Sequence, residues 1–395
     1  MMDRRVVITG SAFFSPLGNR GRSVIAAMEG NRTAFTRPGF DPDVVVAPVP
    51  DFNLKTYTGR YKNARYLNRG AAFGVAAALR AIKGAGLCPK MLENAGLFVG
   101  AGPNLDLGHG VNPGLSALWI LKFLPNTPAS AIADLAGIHG ESTTLSTACA
   151  TTVQVVGEAF QKVRQGGLDI ALAGGGDSRI NPGAALAYKM AGALCTQPGD
   201  PSQVHRPFDQ ARSGFVMGEG GGFVVLEALD HALKRGASIL GEVAGFGASM
   251  DGGTMTAPDP SGQWMEKAVR KALTQAGIVP GDIDVVSAHG TGTPLNDQME
   301  ATLLGRLFPD RSPQIMALKS WIGHLSTACG VVELGLCLSL MANGFVPGVR
   351  NLETPCHPGL DFVREHRNSA FNTLLLQNFG FGGQNGALVV KKWTE

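Results

Sequence analysis

The sequence predicts an α/β protein built from two related halves. Short apolar runs typical of buried strands alternate with segments whose apolar residues recur at helical spacing, a pattern that favours mainly parallel sheets. The tetrad Leu-Ser-Thr-Ala followed by Cys occurs twice, at 145–149 and 325–329, each time near a predicted strand and a predicted helix. A repeat in a like context indicates an internal duplication.

The composition is consistent with a large core and a cytoplasmic location. Of the 395 residues, 44% are hydrophobic and only 16% are charged, and a net charge of +3 argues against nucleic acid as a partner. The six cysteines show no CxxC pairing, so neither a zinc site nor a disulfide framework is predicted. Reduced thiols are typical of the cytoplasm.

No membrane segment is predicted. The apolar run 6–9 follows two arginines but breaks at Gly10, which is too soon for the core of a signal peptide. We also expect no apolar stretch of membrane-spanning length. The run is instead interpreted as a first strand.

In the first half, residues 101–114 are rich in glycine and predicted to form a loop. The strands predicted there are 5–9, 97–100, 169–176 and 223–227. The predicted helices are 23–28, 70–85, one that follows Cys149 and ends at Gly166, and one that follows the strand 223–227 and ends at Arg235.

In the second half, a glycine-rich loop is predicted at 378–386. The other predicted elements are strands at 241–246, 283–288, 314–318 and 387–391, and helices at 265–276 and 322–341. We divide the chain into two halves at 1–245 and 246–395.

Cys149 is the first candidate functional residue. It follows a β-prone run and precedes a helical pattern, so free backbone N–H groups and the positive end of a helix dipole would favour a thiolate. The same N–H groups could hold an oxyanion. A buried structural cysteine is the alternative.

Three further polar groups lie where loops leave predicted strands. They are His289, the pair Lys319 and His324, and the glycine loop 378–386. Each has an ordinary alternative: a capped core histidine, a solvated lysine and a plain hairpin. Their joint presence favours one functional site.

These segments together resemble the β-ketoacyl-[acyl carrier protein] synthases, closest to the elongating enzymes and the ketosynthases of type II polyketide systems. The likeness runs from Val6 to Val390, and its motifs are 147–150, 206–209, 214–220, 289–294, 319–324 and 380–383.

This resemblance implies a thiolase-type fold with two duplicated halves in a five-layer αβαβα arrangement, usually as a homodimer. It implies a decarboxylative Claisen condensation in which an enzyme-bound acyl group is extended by two carbons from malonyl-carrier protein. The substrates travel on the phosphopantetheine arm of an acyl carrier protein, and no cofactor or metal is implied. Fatty acid and polyketide or polyene pathways both remain open.

By the resemblance, Cys149 matches the nucleophile and His289 and His324 match the pair that promotes loss of carbon dioxide. Lys319 and Glu333 match the pair that holds the histidines.

The resemblance also implies roles for residues around this group. The N–H groups of Cys149 and Phe381 match the oxyanion hole, and Phe381 also matches a gate. Thr291 and Thr293 match substrate-binding positions, while Asp297 and Glu300 match acidic positions that follow the first histidine.

Carrier proteins are acidic, so a basic rim is expected near the site. Lys62, Arg65 and Arg206 match docking positions in the resemblance, although a solvated charged surface is the alternative for any one of them.

Rival interpretations remain. Cys329 repeats the Cys149 context, but it is predicted to lie about one and a half turns inside a helix, where no N–H is free, so we interpret it as core packing. A thiolase would need a second reactive cysteine in 379–386, which has none. A ketosynthase-like chain-length subunit in a heterodimer is the alternative function, although such subunits typically lack the nucleophile.

Overall fold

The computed structural model describes residues 3–103 and 117–394. Most of the glycine-rich loop predicted at 101–114 therefore lies outside the described residues.

The strands of the described chain run from β1 to β13 in chain order. They are β1 (Val6–Phe14), β2 (Val46–Ala47), β3 (Gly96–Gly100), β4 (Ser142–Leu145), β5 (Ile170–Ser178), β6 (Met217–Ala228), β7 (Gly241–Met250), β8 (Val285–Ser287), β9 (Gln314–Met316), β10 (Phe345–Val346), β11 (Arg367–Asn368), β12 (Thr373–Gly380) and β13 (Gln384–Lys391).

The α-helices of the same residues are numbered likewise. They are α1 (Gly21–Glu29), α2 (Lys55–Thr58), α3 (Arg69–Gly84), α4 (Pro89–Leu92), α5 (Thr127–Ala136), α6 (Thr151–Arg164), α7 (Pro182–Met190), α8 (Pro201–Val204), α9 (Leu229–Lys234), α10 (Gln263–Ala276), α11 (Pro294–Leu307), α12 (Lys319–Ile322) and α13 (Cys329–Asn343).

One continuous sheet joins most strands, in the order β4-β3-β5-β6-β1-β7-β13-β12-β8-β9, with β2 paired to β6 off this path. The pairings are parallel at its flanks, where β3 pairs with β4 and β5, and β8 pairs with β12 and β9, and in the short pairing of β2 with β6. The central pairings are antiparallel. The prediction of mainly parallel sheets is therefore wrong. A tight turn joins β12 to β13, and strands joined in this way must be antiparallel.

The sheet repeats one topology twice, which confirms the predicted duplication. The first set, β1 with β3 to β6, lies in the sheet in the order β4-β3-β5-β6-β1. The second set, β7, β8, β9, β12 and β13, lies in the order β9-β8-β12-β13-β7. Strands at the same place in the two orders also have the same rank along the chain within their sets. Three residue pairs between β1 and β7 join the two sets. The division at 245/246 stays a prediction; residue 245 falls within β7.

The helices complete a five-layer arrangement. α6 and α13 contact each other and strands of both sets, while α3 with α5 and α10 with α11 cover the outer faces. The outer helix α10 buries Met265, Ala268, Val269, Ala272 and Leu273, one stripe at helical spacing. The central α13 is buried on almost every side, because it has protein on both faces.

The central position of α13 also explains a departure from the sequence-based expectation. Residues 326–343 are, by length and composition alone, apolar enough to span a membrane, contrary to the expectation that no stretch would be. Inside the protein 83% of this segment is buried, as expected for a core helix.

Candidate active site

Cys149 lies between β4 and α6, as predicted. A 3-10 turn, Ala148–Ala150, begins with Ala148 at φ +48° and leads into α6, so the half-buried thiol sits at a helix start. Burial raises the pKa of this thiol above its ordinary value, although the charge of Arg179 and the N–H of Phe381 oppose the rise. Burial therefore outweighs the expected preference for a thiolate.

His289 is held as a neutral donor. It follows β8, is 2% exposed, and its Nδ1 lies 3.2 Å from Asn378 Nδ2. The same amide nitrogen donates to Glu333 Oε2 at 3.0 Å, and a carboxylate only accepts, so the amide also donates to His289. Nε2 of His289 therefore carries the proton. Burial, Lys319 and His324 hold the pKa of His289 well below its usual value.

His324 is also held as a neutral donor, but by different contacts. Gly323 adopts φ +72°, and a Cβ there would come 3.1 Å from the Val216 carbonyl oxygen. The Ser326 N–H donates to His324 Nδ1 at 2.9 Å, so Nε2 again carries the proton. Burial and Lys319 hold the pKa of His324 well below its usual value.

The two imidazoles lie together on one cavity. Their ring centroids are 5.6 Å apart and their planes are 86° apart. The cavity has a volume of about 510 Å³ and is also lined by Cys149. The site therefore contains one thiol and two neutral N–H donors, which can bind a developing negative charge on oxygen.

Lys319 and Glu333 form a fully buried ion pair. Lys319 Nζ donates to Glu333 Oε1 at 2.6 Å and both side chains are 0% exposed. Burial alone would lower the pKa of Lys319, but the carboxylate outweighs it and the pKa is raised. Because Lys319 is fully buried, the alternative of a solvated lysine is excluded. Asn378 links the ion pair to His289.

Removing one partner of this pair should destabilise the fold strongly. Lys319→Met leaves the Glu333 carboxylate buried without a counter-ion, so we expect a loss of about 3–5 kcal/mol in the free energy of unfolding. The urea midpoint measures it. The double variant Lys319→Met/Glu333→Gln should recover part of the loss.

A matched control is the surface pair Lys162–Glu141, at 3.1 Å and about half exposed. Lys162→Met should cost less than about 1 kcal/mol. Equal losses in the two single variants would contradict the argument from burial.

The glycine loop predicted at 378–386 is instead a tight hairpin between β12 and β13. The turn comprises Phe381, Gly382 and Gly383, with both glycines at positive φ. Sequence periodicity missed β12 because its residues are buried on both faces. A Cβ on Gly380 would lie 3.2 Å from Cys149 N, so the hairpin holds its backbone against the thiol. The N–H of Phe381 interacts with that thiol, and its ring is 42% exposed.

The loop after β8 positions two hydroxyl groups on the cavity. Thr291 Oγ1 and Thr293 Oγ1 are 2.9 Å apart. Below them, Asp297 accepts the Gly292 N–H at 3.0 Å, and Glu300 accepts the His289 N–H at 2.6 Å. Burial raises the pKa of Glu300 to about 7. The two acids therefore hold the backbone of the loop and do not line the cavity.

Comparison with known proteins agrees with this geometry. The family model for the β-ketoacyl synthase N-terminal domain matches residues 3–232, and that for the C-terminal domain matches residues 240–353. The chain belongs to the β-ketoacyl synthase family. Members of this family are condensing acyltransferases of the thiolase superfamily, and the fold described above is of the thiolase type.

Individual relatives of the β-ketoacyl synthase family match over almost the whole chain. The 3-oxoacyl-[acyl-carrier-protein] synthase 1 of Escherichia coli K12 is 33% identical, covering 98% of this chain and 99% of the relative. A β-ketoacyl synthase from Burkholderia phymatum superposes with a TM-score of 0.92 at 29% identity, covering 99% and 100%. The ishigamide ketosynthase/chain length factor superposes with a TM-score of 0.90 at 30% identity, again covering 99% and 100%.

The three residues matched to carrier docking do not line the cavity. Lys62 and Arg65 are exposed on a 3-10 turn, Lys62–Tyr66. Arg206 is largely buried, and its Nη1 lies 3.3 Å from Asp209 Oδ1. The structure therefore leaves Lys62 and Arg65 as the more accessible cations of this set.

The position predicted for Cys329 is wrong. The long helix expected at 322–341 breaks at Gly323, and Cys329 is the first residue of α13, not one and a half turns inside it. A glycine at φ +72° and the 3-10 turn Ser326–Ala328 cause the break. Cys329 is nevertheless fully buried, which raises its pKa well above the usual value, and its Sγ lies 3.3 Å from His324 Nδ1.

Three residues around the site were not recognised from the sequence. Asn378 joins His289 to Glu333, while Arg179 and Tyr188 line the cavity beside Cys149. The available signal for Arg179 was a charged residue just after a fully apolar strand. Among the described residues, no group of three His, Cys, Asp or Glu side chains is arranged to hold a metal.

Proposed function

We propose that this protein catalyses a decarboxylative Claisen condensation between an acyl group carried on Cys149 and a malonyl thioester. One observation carries the proposal: the Cys149 thiol and the Nε2–H donors of His289 and His324 face one cavity of about 510 Å³.

The first half-reaction is transfer of the acyl group to the thiol. The Cys149 sulfur attacks the thioester carbonyl, the bond to the carrier's phosphopantetheine sulfur breaks, and that sulfur leaves as a thiol with the proton from Cys149. The N–H groups of Cys149 and Phe381 are the proposed donors to the oxyanion. A thiolate is both a good nucleophile and a good leaving group, so it can later release the chain to carbon.

The second half-reaction builds negative charge on the malonyl thioester oxygen as carbon dioxide leaves. His289 and His324, neutral and with Nε2–H exposed to the cavity, are suited to donate to that oxygen. The resulting carbanion attacks the acyl carbon on Cys149 and frees the thiolate, which extends the chain by two carbons. The ion pair Lys319–Glu333, through Asn378, keeps His289 in the required tautomer. No step in this scheme requires a metal or cofactor of the enzyme.

Intact-protein mass spectrometry tests the proposal. Incubation with a panel of acyl-carrier thioesters should add one acyl mass, and malonyl-carrier protein should then discharge it with release of a ketoacyl product two carbons longer. The absence of any acylation would contradict the proposal.

A second candidate is a chain-length subunit within a heterodimer. It is favoured by the likeness to the ishigamide ketosynthase/chain length factor. The thiol and both histidines favour the catalytic role. Acylation that occurs without a second subunit would exclude the alternative.

We propose a carrier-docking surface at Lys62, Arg65 and Arg206. Arg65 is exposed, so Arg65→Glu should raise KM for carrier-bound substrates about tenfold and leave kcat within about twofold, because a rim charge steers association. The effect should shrink at high salt. Lys90→Glu, at an exposed lysine outside this set, is the matched control. Equal KM values for the Arg65 and Lys90 variants would remove Arg65 from the docking surface.

We propose a dimer and a cytoplasmic location. β4 ends the described sheet, and its residues range from half-buried to exposed, so its outer edge is open to a second chain. A second copy gives a homodimer, and a related subunit gives a heterodimer. Light scattering of the purified chain should show twice its 41.2 kDa mass if the homodimer forms.

A further inference from the structure

A polar pair, with Arg179 buried and Tyr188 half-buried, forms part of the wall of the Cys149 cavity away from the two histidines' own loops. Arg179 follows β5 and Tyr188 lies on α7, and both line the cavity with Ala191, Ala193 and Phe215. The Arg179 side chain is only 9% exposed. A hydrocarbon chain alone would not require these polar groups, which cost free energy to bury.

The pair is fixed in place by its neighbours. Arg179 Nε donates to Asp177 Oδ2 at 3.1 Å, and Nη1 donates to Tyr188 Oη at 3.0 Å. Asp177 Oδ2 also accepts the Thr327 N–H at 3.2 Å, which ties the cluster to the turn after His324. These hydrogen bonds hold the side chains in one arrangement, so binding a ligand would cost little further conformational entropy, as in a preorganised site.

Donors remain available after these contacts. A guanidinium has five N–H groups, and the described residues engage at most three of those on Arg179. Tyr188 Oη accepts from Arg179 and also shares a hydrogen bond with the Ser326 hydroxyl, so this pair of hydroxyls keeps one hydrogen that the described residues do not engage. The cluster therefore presents N–H and O–H donors on the wall of the cavity.

Both donors line the same cavity as Cys149, on the side where Phe215 packs against His324. The Tyr188 ring packs edge-on against Phe215, with ring centroids 5.2 Å apart, and the centroids of Phe215 and His324 are 5.0 Å apart. Arg179 and Asp177 act on the pKa of Cys149. The first carbons of an acyl group on Cys149 are therefore those within reach.

Charge decides which acceptor suits the donors. Arg179 is balanced by Asp177, so a carboxylate on the chain would add an uncompensated charge to a buried site. A neutral oxygen accepts these hydrogen bonds without that cost. A saturated chain would displace water from the donors and leave them unpaired, which costs free energy.

We propose that Arg179 and Tyr188 make this site selective for acyl groups with a keto or hydroxyl oxygen near the thioester. The proposal rests on the proposed function and assigns its substrate class. Acylation itself is unchanged: the Cys149 sulfur bonds the acyl carbon, and the pantetheine sulfur leaves as a thiol with the proton from Cys149.

The test compares three pantetheine thioesters of one length: hexanoyl, 3-hydroxyhexanoyl and 3-oxohexanoyl. Intact mass follows the rate of Cys149 acylation by each. We expect at least one oxygenated substrate to react about tenfold faster than hexanoyl, which is the factor for about 1.4 kcal/mol. Tyr188→Phe keeps the ring but removes the hydroxyl, and Arg179→Lys keeps the charge but removes the planar fork. Both variants should bring the ratio close to one.

Tyr61→Phe, at a half-buried tyrosine that does not line this cavity, is the matched control and should keep the wild-type ratio. A wild-type ratio of one or less overturns the proposal and leaves the proposed function intact. A Tyr188→Phe variant that slows all three substrates equally also overturns the proposal. That result would mean that Arg179 and Tyr188 bind the pantetheine arm or stabilise the fold. Failure of all three thioesters to acylate the wild type would overturn the proposed function as well.

Discussion

Cys149→Ala should abolish both acylation and condensation, with a loss of more than about 10³-fold in turnover, because no covalent acyl intermediate can form. The measurement is intact mass after incubation with an acyl-carrier thioester, together with the rate of ketoacyl product formation. Alanine fits the half-buried position, so the variant should fold.

Two other cysteines make this prediction specific. Cys88→Ala, at an exposed cysteine, should acylate at the wild-type rate. Iodoacetamide should label Cys149 and spare the fully buried Cys329. Acylation that survives in Cys149→Ala and disappears in Cys329→Ala would reverse the assignment of the nucleophile.

His289→Ala and His324→Ala should each separate the two half-reactions. Loss of one donor to a developing oxyanion costs about 10²–10³-fold in rate, so condensation should fall by that factor. Acylation of Cys149 should persist, because its proposed oxyanion donors are the backbone N–H groups of Cys149 and Phe381. Acylation is followed by intact mass and condensation by product release after malonyl-carrier protein is added.

His139→Ala provides the matched control, since His139 is exposed. It should perform both half-reactions at wild-type rates. Normal condensation by either His289→Ala or His324→Ala would rule out that histidine as a donor in the second half-reaction.

Some features of the site follow from local sequence. Cys149 follows a β-prone run, His289 lies directly after the predicted strand 283–288, and His324 follows Gly323, which adopts a positive φ. Local patterns can place such residues because strand ends and glycine turns depend on neighbours in sequence. Their proposed roles stay predictions, since geometry shows what the residues can do and not what they do.

Other features could not be predicted locally. The break before Cys329 depends on Gly323, where a Cβ would meet Val216 and Ala47, two residues distant in sequence. The state of His289 depends on Asn378 and Glu333, which are 89 and 44 residues away in sequence. Such contacts carry no periodic signal along the chain.

Periodicity and the repeated tetrad were enough to predict the α/β class and the duplication, and strand-end motifs together with the family resemblance pointed to Cys149, His289 and His324, because these signals are local in the sequence. The mixed sheet, the protonated nitrogen of each imidazole and the placement of Arg179 beside Tyr188 became visible only in the folded chain. These features depend on which groups the fold brings together, because burial and neighbouring charges together set the hydrogen-bond partners and the directions of the pKa shifts.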